Sequence, residues 1–132
     1  MTTDAGLPIL RLGDILLSGL LADLDDTTAL RFTDELTARI ADEGIRGVVL
    51  DISRLEIIDS FVARVLMQLA ATGRLLGARM IVAGMRPAVA ITLSELGLRL
   101  TGVQTALNAE QAMELLGWRR AGEAAEEAPH AS

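Results

Sequence analysis

Apolar residues in this chain come in short blocks separated by glycines and polar clusters, and the blocks alternate between two periodicities. Pro8-Ile9-Leu10-Arg11-Leu12 and the run Ile15 to Leu21 flank Gly13-Asp14. Two short apolar runs around such a pair predict a β-hairpin. Asp25 or Asp26 then stands where a helix N-cap belongs. Behind it Ala29, Leu30, Leu36 and Ile40, with Phe32 or Thr33, make a stripe at helical spacing that Gly44 closes. Arg46 to Ile52 contains Val48-Val49-Leu50, a continuous apolar run of the kind shown by a parallel strand covered on both faces. Asp59 predicts a second N-cap, for a helix running through Val62, Val65, Leu66, Leu69 and Leu76. Ala78 to Ala83 reads as another buried strand, closed by Gly84. Pro87 suits the first turn of a short helix, Ala88 to Leu96, which Gly97 ends. Arg99 to Gln104 is read as the last strand. Asn108, with Gln111 three residues later, forms a capping box for a final helix to about Gly117.

The predicted order is β-β-α-β-α-β-α-β-α. After the opening hairpin, strands and helices alternate, which calls for right-handed crossovers and a mixed, mostly parallel sheet. With 132 residues and neither a repeat nor a linker, the chain makes one α/β domain with about four helices. Residues 7–117 form the folded unit, and 118–132 an acidic, Ala/Glu-rich tail expected to be disordered.

Composition narrows the function classes. At 51% hydrophobic residues and a mean hydropathy of +0.40, the chain is not a disordered one. No uncharged apolar run approaches the ~18–20 residues that span a bilayer, and Met1-Thr2-Thr3-Asp4 lacks the basic start of a signal peptide. A soluble, cytoplasmic protein is expected. Cysteine is absent, lysine is absent among the 12 basic residues, tyrosine is absent, and the one histidine is His130 in the tail. The usual neutral-pH general base is therefore missing from the folded part, and acid–base work falls to carboxylates alone. Neither a transition-metal site nor any cofactor is expected. The net charge is −6; residues 121–132 hold three glutamates and no basic residue, so the body keeps 15 acidic against 12 basic residues, a net −3. Without a basic patch, and with 2% aromatics for base stacking, nucleic acid is a poor candidate partner.

Three constellations carry possible chemistry. Asp51 closes the Val48-Val49-Leu50 strand, and Asp59-Ser60 opens the next helix. Such strand-to-helix junctions collect ligands in open α/β sheets, and a helix N-terminus accepts anions. The plainer alternative is that Asp59 caps the helix and Ser60 is one more polar residue of the first turn. An aspartyl-phosphate receiver would need an acidic cluster and a lysine, and there is no lysine. Asp23, Asp25 and Asp26, next to Thr27 and Thr28, lack the ladder of a calcium loop and read as a solvated cap cluster. Gly84-Met85-Arg86-Pro87 has too few glycines for a nucleotide loop and reads as a turn that brings Arg86 near the Ser60 helix start. Met67, Met80 and Met85 fit core filling.

These residues also resemble a known family. Ile58-Asp59-Ser60-Phe61-Val62-Ala63-Arg64-Val65-Leu66 is similar to the phosphoacceptor segment of STAS domains, found in anti-sigma-factor antagonists and sulfate transporters. The opening Pro8 to Leu17, Leu24-Asp25-Asp26, Glu35 to Asp51, and Gly84 to Gly97 narrow the resemblance to the RsbS-type stressosome scaffolds. The resemblance spans about residues 7–117 and implies no catalysis: such proteins are scaffolds and kinase substrates. It implies a homo- and hetero-oligomer in a large complex with RsbR-type STAS paralogues. That complex holds an RsbT-type serine/threonine kinase and releases it when the STAS serine is phosphorylated, and a dedicated serine phosphatase resets the site. By motif position Ser60 is the implied phosphorylation site, with Asp59, Phe61 and Arg86 as candidate kinase contacts. RsbR-type paralogues carry a second acceptor threonine where this chain has Ala83, which favours the RsbS subtype. A monomeric SpoIIAA-type anti-sigma factor antagonist, using the same serine, is the alternative.

Overall fold

The structure, a computed structural model, describes residues 7–20, 24–97 and 103–118. Five strands and four helices alternate as β1 (Ile9–Leu12), β2 (Ile15–Gly19), α1 (Asp26–Glu43), β3 (Gly47–Asp51), α2 (Ser60–Leu75), β4 (Arg79–Ala83), α3 (Pro87–Glu95), β5 (Gln104–Ala106) and α4 (Ala109–Leu115). The sheet order is β1-β2-β3-β4-β5; β1 pairs antiparallel with β2, and every later pairing is parallel. This is the mixed α/β sheet with an N-terminal hairpin that the pattern predicts. Leu12 faces Ile15 across the hairpin, so the turn is Gly13-Asp14, with Gly13 at φ 65°, a region that a Cβ disfavours.

Strand alternation explains the apolar runs. Val48 and Leu50 of β3 join Leu16, Met80 and Val82 in a core built with Phe32 and Leu36 of α1, Leu66 of α2 and Val89 of α3. Val49 points the other way, into a smaller cluster with Ile15, Ile81, Ala83 and, from α4, Ala112 and Met113. Three helices thus cover one face of the sheet and one helix covers part of the other. Each fully buried Leu, Ile, Val or Phe contributes roughly 1.5–3 kcal/mol, so the three-helix side supplies most of the stability. Helix α4 packs on β3, β4 and β5. On the same face the hairpin stays more open, and Leu10 is 59% exposed.

Local signals set the helix ends. Asp25 caps α1, its Oδ1 accepting from the Thr28 N–H at 2.7 Å, and that bond holds the Asp25 carboxyl below its ordinary pKa. Gly44 closes α1 in the left-handed region, at φ 66°. Asn108 caps α4 through the Gln111 N–H at 2.8 Å. The return bond differs from the capping-box expectation: Gln111 Oε1 accepts from Leu107 N–H, one residue ahead of the cap.

The last strand occupies Gln104–Ala106 and pairs with Ile81–Ala83, meeting the expected Arg99–Gln104 at Gln104; positions 99–102 of that expectation lie outside the described residues. Polar Gln104 and Thr105 sit in the sheet because an edge strand gains its place from backbone pairing. Residues 98–102, together with Asp23 of the acidic cluster and the tail beyond Trp118, lie outside the described residues.

Candidate functional site

Three loops leave the carboxyl ends of β3, β4 and β5, and short polar contacts join them. The β3–α2 loop begins at Asp51, whose Oδ1 accepts from the Ser53 N–H at 2.9 Å, and it pairs with the next strand where Ile52 N–H donates to Ala83 O at 2.9 Å. Ile52, Leu55 and Ile58 are all buried and fasten the loop to the main core. The β4–α3 turn then crosses it. Gly84 sits at φ 74°, and a Cβ there would lie 2.9 Å from Ser53 Cβ and 3.3 Å from Asp51 Oδ1. Only glycine permits that approach. Arg86 fixes the crossing from the other side, its Nε donating to Ser53 O at 2.7 Å. Gly84 N–H donates to Ala106 O at 3.1 Å, which ties in the β5–α4 loop.

Helix α2 starts from this platform. Asp59, in extended conformation, caps it by accepting from Val62 N–H at 2.8 Å, while its carbonyl accepts from Ala63 N–H at 3.1 Å. Ser60 is the first helical residue and is half-buried. Its hydroxyl has no hydrogen-bond partner among the described residues. The first N–H groups of a helix lack intrahelical acceptors and lie at the positive end of its dipole, so an anion carried on Ser60 Oγ would meet a favourable field. Phe61, also half-buried, packs against the main core.

The four residues singled out in the sequence therefore fall in one region by different routes. Asp59, Ser60 and Phe61 are consecutive, and Arg86 reaches the same loop through Ser53. The guanidinium grips the loop backbone and gives no cap to its own helix, α3. Sequence reasoning missed the Arg86–Ser53 link and the close crossing at Gly84; the only signal for either was the glycine itself. Asp25 and Asp26 go to the start of α1, and no group of three metal-ligating side chains occurs among the described residues. Beside the platform lies an open depression of about 340 Å³, lined by Met85, Thr105, Ala106, Leu107 and Gln111. A cleft of about 330 Å³ at the opposite end of the sheet holds the Arg46–Asp14 ion pair and none of the platform residues.

Comparison with known proteins agrees with this geometry. The signature of the STAS domain matches residues 9–112. A serine-to-glutamate variant of RsbS from Moorella thermoacetica is 39% identical, with a TM-score of 0.77 over 85% of this chain and 95% of that one. A chain from a structure of the stressosome, described as a signal integration and transduction hub, is 41% identical, with a TM-score of 0.74 over 83% of this chain and 96% of that one. The RsbT co-antagonist protein RsbRA of Bacillus subtilis is 31% identical over 67% of this chain but only 36% of its own length. No helix among the described residues is long and apolar enough to cross a membrane.

Proposed function

The chain belongs to the STAS domain family, and we propose that within it the protein is a cytoplasmic, non-enzymatic scaffold of the RsbS type, switched by phosphorylation of Ser60. The observation that carries this reading is the placement of Ser60: a hydroxyl without a partner among the described residues, at the first turn of α2, next to a capping aspartate, on loops fixed by three buried side chains and by Arg86. An RsbT-type serine/threonine kinase held by the scaffold would transfer the γ-phosphoryl group of ATP. The bond from the γ-phosphorus to the bridging oxygen breaks, the Ser60 Oγ–P bond forms, the hydroxyl proton is released and ADP leaves. A serine phosphatase would hydrolyse the ester and reset the site.

Two effects on the fold nearly cancel. The helix dipole favours the phosphate by roughly 0.3–1 kcal/mol at an exposed site, while Asp59 opposes it by a similar order in high dielectric. Stability should change little. The kinase interface should change a great deal, because a dianion of about −1.5 to −2 charges trapped unpaired against a partner costs several kcal/mol. Phosphorylation would then release the kinase without unfolding the scaffold.

The resemblance to RsbS and RsbRA supports assembly with RsbR-type paralogues into a large complex. Mixing the purified chain with such a paralogue tests this by mass. A megadalton-scale particle supports the scaffold, whereas a chain that stays small and forms only a binary complex acts in the SpoIIAA manner.

A further inference from the structure

Ile57 is the apolar side chain of the β3–α2 loop that the fold leaves unused. Ile52, Leu55 and Ile58 occupy the inward positions, and the loop is tied at Asp51, Ser53 and Asp59, so Ile57 is held 82% exposed on a restrained segment. Leu107, 79% exposed, is displayed in a similar way on the β5–α4 loop, its N–H bound to Gln111. Single exposed aliphatic residues are common, and Leu75 at the far end of α2 is another. Position separates Ile57 from these. It lies three residues before Ser60, so at most about 11 Å of chain separates the two Cα atoms. A partner acting on Ser60 covers on the order of 800 Å², a disc roughly 16 Å in radius. Ile57 falls inside that disc by geometry. Neighbouring strands are about 4.8 Å apart, so the β5–α4 loop leaves the sheet roughly 10 Å from the β3–α2 loop, nearer the rim.

On the reading that Ser60 is the phosphoacceptor, we propose that Ile57 is the apolar anchor by which the switch kinase recognises this chain, seated in a hydrophobic pocket of the kinase beside its catalytic cleft. Leu107 is a second, more peripheral contact. The full chain, with Ile57→Ser, Ile57→Val, Leu107→Ser and Leu75→Ser variants, is titrated with an RsbT-type kinase and then phosphorylated with ATP. Ile57→Ser should weaken binding and raise KM about ten-fold or more, as loss of an interface anchor does, with kcat and melting temperature little changed. Ile57→Val should recover most of the loss, Leu107→Ser should lose less, and Leu75→Ser should match the wild type. An Ile57→Ser chain that binds and is phosphorylated like the wild type overturns the anchor and leaves the Ser60 reading standing, as does an equal loss in Leu75→Ser. A wild-type chain that takes no phosphate on Ser60 overturns both.

Discussion

The carboxyl-end platform and the β1 edge are both held by short polar contacts, but of different kinds. On the platform most contacts are backbone or cap hydrogen bonds over buried aliphatic side chains: Asp51 to Ser53, Asp59 to Val62, Gly84 to Ala106, with Arg86 on a carbonyl. At the β1 edge the corresponding role falls to ion pairs at the surface, formed by exposed Arg11 and half-buried Arg39 and Glu43. Arg11 and Arg39 meet Glu43 at 3.1 and 3.0 Å, and Arg39 also donates to Ile9 O at 3.3 Å, clasping the hairpin to the end of α1. The platform bonds each have a backbone group as one partner and lie over a packed core, so they are less exposed to salt screening than the paired charges at the β1 edge. A phosphoacceptor held in a fixed frame belongs on the first kind of surface.

Gly84→Ala should break the platform most severely. It forces a Cβ into the left-handed region and against Ser53, and strain and overlap together predict a loss of about 2–4 kcal/mol, readable by thermal melting. A melt equal to wild type would mean that the crossing is looser than described. Asp59→Ala removes the cap of α2 and should cost about 1 kcal/mol, with Asp59→Asn recovering most of it. Arg86→Ala frees Ser53 O; at an exposed position about 0.5–1 kcal/mol is expected, together with faster amide exchange confined to residues 53–58.

Much of this comparison was legible in the sequence. Val48-Val49-Leu50 announced a strand covered on both faces, and Asp25, Asp59 and Asn108 each stand where a cap was expected and make the cap bond. What escaped was non-local or depended on side-chain direction. Adjacent Ile57 and Ile58 look alike in sequence, yet one is exposed and the other buried, because the loop is irregular and has no period to read. Arg86 and Ser53 lie 33 residues apart and meet only because β3 and β4 are neighbours. The role of Ser60 came from family resemblance, since residue chemistry alone left helix capping as the plainer alternative.

The smallest expected effect sharpens the other side of the comparison. Glu43 is held below its ordinary carboxylate pKa of 4.5, first by its hydrogen bond from Arg39. A depressed folded-state value means that the stabilisation is complete above the unfolded pKa and is lost as pH falls through the folded one. Protection of the β1 amides should therefore fall as pH drops below about 4.5, and also in molar salt at neutral pH, where the platform amides hold. Glu43→Gln should abolish that dependence. Equal salt sensitivity at both places would remove the contrast.

The central claim is tested most directly by labelling. The full chain and its Ser60→Ala variant are incubated with an RsbT-type kinase and ATP, and phosphate is located by mass spectrometry. The account predicts one phosphate per wild-type chain, on Ser60, and none on Ser60→Ala, which still binds the kinase. Labelling that persists undiminished in Ser60→Ala would place the acceptor elsewhere and contradict the account.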